Sequence, residues 1–183
     1  MNFIVFDLEA TCWETTQEAA GKTQEIIEIG AVKLDENGRV IETFSKFVRP
    51  VVHSQLSNFC TKLTTITQVD VNRAALYIDI IEEFKNWIGL YDDEEYLLCS
   101  WGLFDQKALI RNCTVHNLDS EWTKPHINLK EQYPKITSTY RPIGLKAAVI
   151  KEGFEWDGVH HRGISDAINL AKIFYKYLNQ WAY

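Results

Sequence analysis

The sequence has no long apolar run, no internal repeat and no Pro- or Gly-rich linker. Only four prolines and nine glycines occur in 183 residues. No stretch reaches the roughly 18 apolar residues that a membrane-spanning helix needs. The first seven residues, MNFIVFD, lack a basic region before the apolar residues, so we interpret them as a first strand rather than a signal peptide. We therefore expect a single domain that spans residues 1–183.

Cysteine is scarce, and none of the cysteines forms a Cys-x-x-Cys pair. This spacing argues against a structural zinc site. Unpaired thiols are typical of proteins in a reducing compartment, so we expect free thiols and a cytoplasmic location. The four residues are Cys12, Cys60, Cys99 and Cys113.

Basic residues are fewer than acidic residues, which gives a net charge of −6. Taken alone, this argues against binding to a polyanion, because phosphate contacts need Lys and Arg. The charge is uneven, however: residues 123–163 contain seven basic and four acidic residues, a net charge of +3, which leaves −9 on the rest. Acidic residues that bind divalent cations would also be neutralised. The acidic run at residues 92–95 is predicted to be a solvated turn.

Five runs of residues have the pattern of strands. Residues 2–8, 25–34 and 40–48 are rich in apolar and β-branched residues, and the Asn37-Gly38 pair predicts a hairpin between the second and third runs. Residues 96–100 and a short segment near His126 predict two further strands.

Helical spacing predicts helices at residues 56–65, 72–88, 104–115, 128–133, 144–152 and 165–177, with Ser165 as the N-cap of the last. A hairpin followed by β-α-β units implies a mixed sheet with helices packed on its faces. That order of elements is the order of an α/β fold of the ribonuclease-H-like class.

Two carboxylates stand at the end of the first predicted strand. Asp7 and Glu9 are two residues apart, so their side chains project from the same face of the strand. Like charges at this distance repel each other unless a cation joins them. Carboxylate oxygens suit hard divalent ions such as Mg²⁺. A polar strand end without a metal is the alternative interpretation of this pair.

Two further carboxylates begin predicted helices. Asp105 follows the fourth strand, and Asp166 lies in the first turn of the last helix. Helix capping explains each of them equally well when taken alone. His161 lies five residues before Asp166, and a neutral imidazole is a natural base for taking a proton from water. His160 is the competing candidate for that role.

The combination of these residues resembles the DEDDh superfamily of 3′→5′ exonucleases. The sequence looks most like the Eri-type exoribonucleases, the group that includes the histone-mRNA 3′ exonuclease. The motif FDLEATC at residues 6–12 and the His-x-x-x-x-Asp spacing at residues 161–166 carry most of the resemblance. Further matching segments are EIIEIGAV (25–32), FCTKLTTIT (59–67) and SWGLFD (100–105).

The resemblance implies a two-metal phosphodiesterase that releases nucleoside 5′-monophosphates from single-stranded 3′ ends, with RNA favoured. It implies that two Mg²⁺ or Mn²⁺ ions bind to four carboxylates, with His161 as the general base. The implied metal ligands are Asp7, Glu9, Asp105 and Asp166.

The same resemblance implies contacts with the terminal nucleotide. Ala10, Thr11 and the neighbouring Leu8 are expected at the 3′ end, and Phe59 and Phe104 are expected to stack on the last base. Core packing is the alternative role of both phenylalanines. Arg162 is the preferred candidate for the next phosphate because it adjoins His161, with Lys146 and Lys151 as further candidates.

Three other functions stay open at this point. A DNA 3′→5′ exonuclease would use the same residues. A catalytically silent module of the same fold would bind nucleic acid or a protein partner, but it predicts the loss of at least one of the five site residues. A metal-dependent phosphatase would act on mononucleotides instead of oligonucleotides.

Overall fold

The computed structural model describes residues 1–92 and 94–183. Five strands form one mixed sheet in the spatial order β3-β2-β1-β4-β5. Strand β1 (Asn2–Ala10) lies at the centre, antiparallel to β2 (Ile26–Leu34) and parallel to β4 (Tyr96–Ser100). Strands β3 (Val40–Phe47) and β5 (His126–Asn128) form the edges. The predicted mixed sheet flanked by helices is confirmed.

Eight α-helices are present in the described part of the chain: α1 (Thr16–Ala19), α2 (Asn58–Thr64), α3 (Gln68–Arg73), α4 (Tyr77–Trp87), α5 (Phe104–Val115), α6 (Leu129–Thr137), α7 (Leu145–Lys151) and α8 (Gly163–Lys176). None of them is long and apolar enough to cross a membrane.

The core lies in two layers, one on each face of the sheet. Ile4, Phe6 and Leu8 of β1 pack on one face with residues of α4 and α5. Phe3 and Val5 pack on the opposite face with residues of α7 and α8. Because side chains alternate along a strand, Asp7 and Glu9 continue the row that begins with Phe3 and Val5. Both carboxylates therefore face the layer that contains α8.

The structure corrects two predicted helices. The helix predicted at residues 72–88 is divided into α3 and α4, because Ala74 and Leu76 are extended and Leu76 forms an isolated bridge with Arg49. The last helix begins at Gly163 with Arg162 in the N-cap position, and not at the predicted N-cap Ser165. The hydroxyl of Ser165 accepts a hydrogen bond from the Val159 amide instead.

The predicted acidic turn is described only in part, since Asp93 lies outside the described residues. Next to it, the carboxylate of Glu94 accepts hydrogen bonds from Asn2 and Lys33. That carboxylate thus ties the turn to strands β1 and β2. The four cysteines are free thiols.

Candidate active site

A pocket opens beside the end of β1, between the start of α5, the start of α7 and the loop that leads into α8. Its volume is about 410 Å³, within the range of roughly 300–1,000 Å³ that is usual for small-ligand sites. The five residues predicted as metal ligands and base all line it. The lining is Asp7, Leu8, Glu9, Trp101, Phe104, Asp105, Lys130, Gly144, Leu145, Lys146, His160, His161 and Asp166.

Strand β1 presents two of the carboxylates together. One carboxylate oxygen each from Asp7, Glu9 and Asp166 lie within 4.8 Å of one another. Glu9 and Asp166 are buried, at 9% and 6% exposure. Such proximity in a buried setting is unfavourable for three negative charges, and it is the arrangement that divalent cations stabilise.

Asp105 is held against β1 by the main chain. Strand β4 pairs with β1 only as far as Val5, so the Leu8 amide lies beyond the end of β4. The carboxylate of Asp105 accepts a hydrogen bond from that amide, with an Oδ1–N distance of 3.1 Å. This contact fixes the first turn of α5 beside Asp7 and Glu9.

The pKa values of all four carboxyl groups are raised. Burial is the main cause for each of them, and neighbouring carboxylates add to it at three. The pKa of Asp7 lies well above its ordinary value, and that of Glu9 rises to about 8. The pKa values of Asp105 and Asp166 rise to about 7. Without a cation, the pocket therefore holds protons that exposed carboxyl groups would release.

The donor set fits divalent metal ions. Asp166 Oδ1 is buried and has no hydrogen-bond partner within the described residues, although a buried polar oxygen normally has one. The same carboxylate belongs to the cluster with Asp7 and Glu9. Oxygen ligands of this kind are those that Mg²⁺ and Mn²⁺ prefer.

Two histidines, His160 and His161, also line the pocket. The rings of His160 and His161 lie 3.9 Å apart, and His160 also contacts Trp156 edge-on. One ring nitrogen of each lies within 4.8 Å of an Asp166 oxygen. Burial lowers the pKa of both rings, and the Lys146 ammonium lowers it further. Both imidazoles are therefore neutral near pH 7 and able to accept a proton.

The structure separates the predicted substrate contacts into two groups. Leu8 and Phe104 line the pocket, and Phe104 is 47% exposed at its mouth. Ala10 and Thr11 lie buried at the end of β1, where the Thr11 hydroxyl accepts a hydrogen bond from the Glu25 amide. Phe59 is half-buried in α2 and, like Ala10 and Thr11, is not part of the pocket wall formed by the described residues.

Arg162 was predicted to contact a substrate phosphate, but it is not among the described residues that line the pocket. Its guanidinium forms an ion pair with the buried carboxylate of Glu28 in β2, with an Nη2–Oε1 distance of 3.0 Å. The Glu28 carboxylate thus engages Nε and Nη2 of the guanidinium, so these two donors are not free for a substrate phosphate. One feature of the sequence could have indicated this ion pair: Glu28 is a charged residue inside the apolar run of β2.

Trp101 and Lys130 line the pocket although the sequence did not single them out. The Trp101 indole donates a hydrogen bond to the Ile143 carbonyl and packs against Tyr133. Only the folded chain brings α6 and the loop before α7 to the mouth of the pocket. Sequence position alone could not identify Lys130, whereas Trp101 lies four residues before Asp105 in the SWGLFD segment.

Similarity to known proteins agrees with this geometry. The model of the exonuclease family (RNase_T) matches residues 4–174. The chain is 33% identical to rat 3′-5′ exoribonuclease 1 over 176 residues, which cover 92% of this chain and 50% of the relative. It is 34% identical to human ERI1 exoribonuclease 3 over 180 residues, which cover 93% and 52%. The chain thus spans about half the length of these relatives.

A solved structure is similar over nearly the whole chain. The nuclease domain of 3′hExo, a DEDDh family member bound to rAMP, superimposes with a TM-score of 0.89 at 30% identity. The match covers 97% of this chain and 92% of that domain. The predicted ribonuclease-H-like fold class is confirmed by this similarity.

Proposed function

The chain belongs to the exonuclease (RNase_T) family, and from that premise we propose that it is a metal-dependent 3′→5′ exoribonuclease. In this proposal it releases nucleoside 5′-monophosphates one at a time from single-stranded RNA. The observation that carries the proposal is the meeting of four carboxylates and His161 around one pocket. All five positions of the DEDDh pattern are filled, which disfavours a catalytically silent module.

Two divalent ions would bind to Asp7, Glu9, Asp105 and Asp166, and Mg²⁺ or Mn²⁺ fits the oxygen donors. When bound, such ions neutralise the charge of the scissile phosphate and lower the pKa of water. Their positive charge also favours the ionised form of the carboxyl groups, whose pKa values are raised by burial and, at three of them, by neighbouring carboxylates.

His161 is the proposed general base. Its imidazole is neutral near pH 7, because burial and the Lys146 ammonium lower its pKa. It lines the same pocket as Asp7 and Glu9, and one of its ring nitrogens lies within 4.8 Å of an Asp166 oxygen, so it can take the proton of an attacking water. The bond between phosphorus and the 3′-oxygen of the penultimate nucleotide then breaks. A ring nitrogen of His160 also lies within 4.8 Å of the Asp166 carboxylate, so His160 is the second candidate for this role.

The rest of the pocket wall suits a terminal nucleotide. The exposed ring of Phe104 offers a stacking surface, and such stacking contributes about 1–3 kcal/mol per base without regard to sequence. Lys130 and Lys146 bring positive charge to the pocket, where it can attract phosphate. Three further contacts stay proposals, because the substrate would have to extend beyond this wall to reach them. They are Ala10, Thr11 and Phe59.

We favour RNA over DNA as the substrate, because the similar proteins are named exoribonucleases and the similar domain was solved with rAMP. The free state of the four thiols supports a cytoplasmic location. The excess of acidic charge outside residues 123–163 predicts weak affinity for long nucleic acids, so recognition would centre on the 3′ end.

The proposal is tested with matching 5′-labelled RNA and DNA single strands, incubated with Mg²⁺, Mn²⁺ or EDTA. We expect an RNA ladder that shortens from the 3′ end only when metal is present, and that is absent with Asp7→Ala. A faster ladder on DNA would reassign the enzyme to DNA. Release of phosphate from a mononucleotide, without any ladder, would indicate a phosphatase.

A further inference from the structure

A buried ion pair joins β2 to the start of α8, just behind the pocket. Glu28 is 1% exposed, and its carboxylate accepts hydrogen bonds from Nε and Nη2 of Arg162 at 3.0–3.3 Å. The same carboxylate accepts a hydrogen bond from the Gly163 amide at 2.8 Å. One glutamate thus binds both the side chain of the N-cap residue and the first amide of the helix.

The backbone of α8 touches the sheet at this point. A Cβ atom on Gly30 would lie 2.0 Å from the Gly163 carbonyl carbon and from the Ile164 nitrogen, closer than real atoms approach. A Cβ atom on Gly163 would lie 3.0 Å from the Asp7 carbonyl oxygen. The start of α8 therefore rests directly on the strand that carries Asp7.

Arg162 stands between the two pocket residues that this segment supplies. His161 immediately precedes it, with a left-handed backbone (φ 62°) that is unusual for a residue with a side chain. The Arg162 carbonyl accepts the amide of Asp166 in the first turn of the helix. A shift of Arg162 would consequently move both His161 and Asp166.

The pair also removes a charge from the pocket's surroundings. Glu28 faces Glu9 across the β1–β2 ladder, so it is a fifth carboxylate beside the four predicted ligands. Its charge is among the causes that raise the pKa of Glu9 and of Asp166. The Arg162 guanidinium neutralises it and lies 5.0 Å over the Phe47 ring of β3, which holds it to the sheet.

We propose that Glu28 and Arg162 are positioning residues, which fix His161 and Asp166 at the correct distance from Asp7 and Glu9. This inference rests on the proposed exonuclease function. It replaces the sequence-based prediction that Arg162 binds a phosphate. Groups that orient metal ligands without touching the substrate typically affect metal affinity or activity by about 10–100-fold when they are changed.

The test compares Glu28→Gln, Arg162→Lys and the double variant with the wild type. Gln keeps the shape and an oxygen for the Gly163 amide but loses the charge, and Lys keeps the charge but loses the planar fork of donors. Glu152→Gln is the matched control. The nearly buried carboxylate of Glu152 also forms an ion pair, with the Lys176 ammonium at 2.7 Å, and Glu152 does not line the pocket. The readouts are kcat and KM on labelled RNA, Mn²⁺ affinity by calorimetry, and Tm.

We expect both single variants to lose about 10–100-fold in kcat and in Mn²⁺ affinity, with KM unchanged. The double variant should lose no more kcat and Mn²⁺ affinity than the less active of the two single variants, because the two residues act as one unit. The control should lose stability and keep wild-type kcat and Mn²⁺ affinity.

Two outcomes would overturn the proposal. A raised KM in Arg162→Lys alone, with Glu28→Gln unaffected, would assign Arg162 to phosphate binding. A loss of stability alone in both variants, as in the control, would leave the pair a merely structural role. If the wild type itself fails to shorten RNA, the exonuclease proposal fails, but the Mn²⁺ affinities of the two variants still decide the positioning role.

Discussion

The two sides of the candidate site are built from different kinds of structure. The strand half consists of Asp7 and Glu9 on β1, where the ladder with β2 continues to Ala10 although the pairing with β4 ends at Val5. The helix half consists of His161 and Asp166, which belong to a loop and to the first turn of α8. Main-chain ladders fix the first half, whereas side-chain contacts and one close backbone approach fix the second. The strand half is therefore the rigid reference, and the helix half depends on packing.

The largest effect should come from the strand half. Asp7→Asn keeps the shape of the side chain but removes a central carboxylate, so we expect activity to fall to the level seen in EDTA. Because the substitution also removes charge repulsion, the metal-free variant should be more stable than the wild type at pH 8, as measured by thermal unfolding. Residual metal-dependent activity near the wild-type rate would show that Asp7 is dispensable.

A somewhat smaller loss is expected in the helix half. His161→Asn should lower kcat by about 10²–10⁴-fold, the usual contribution of a general base. Asn tolerates the left-handed backbone at this position, so the fold should be kept. His160→Asn is the matched control and should retain most of the activity. If the control loses more than His161→Asn in single-turnover assays, His160 is the base.

The contact between the two halves can be broken directly. Gly30→Ala introduces a methyl group against the Gly163 and Ile164 backbone, and overpacking of this kind costs about 1–3 kcal/mol. We expect a lower Tm and a lower kcat, since α8 must move away from β1. Gly144→Ala is the control for stability, because a Cβ atom there meets nothing within 4 Å. Equal Tm values for the two variants would argue that the halves do not rest on each other.

The smallest effect should be the pH dependence of stability without metal. The folded pKa values of about 7 for Asp105 and Asp166 and about 8 for Glu9 lie above those of the unfolded chain, which are near 4. Their stabilising effect is therefore complete below about pH 4 and is lost as the pH rises to about 8. In EDTA the Tm should fall over this window by about 2–4 °C for each kcal/mol lost.

Added Mg²⁺ should remove most of that decline, because it binds the ionised carboxylates. Glu9→Gln should show a flatter profile in EDTA than the wild type. A Tm in EDTA that rises between pH 4 and pH 8 would contradict the electrostatic description of the pocket.

The sequence predicted the strand half better than the helix half, for a physical reason. Residues two apart on a strand share a face whatever the tertiary structure, so the pairing of Asp7 and Glu9 needed no other information. The position of Arg162 depends on Glu28, which is 134 residues away. No local pattern encodes that contact, so adjacency to His161 could not predict it.

The fold shows the same division between local and long-range information. The hairpin, the central strands and helix α5 were predicted with nearly correct bounds, because their apolar patterns and turn residues are local. The break between α3 and α4 was missed, since it depends on the bridge between Leu76 and Arg49. Lys130 of α6 likewise reaches the pocket only through the packing of distant elements.

The strand half and the helix half, together with Asp105 of α5, are proposed to bind two divalent ions. Calorimetric titration of the metal-free protein with Mn²⁺, in the presence of a nucleoside 5′-monophosphate, tests this proposal most directly. We expect two ions per chain for the wild type and fewer for Asp7→Asn and for Asp166→Asn. Failure of Mn²⁺ to bind, or binding that both substitutions leave unchanged, would contradict it.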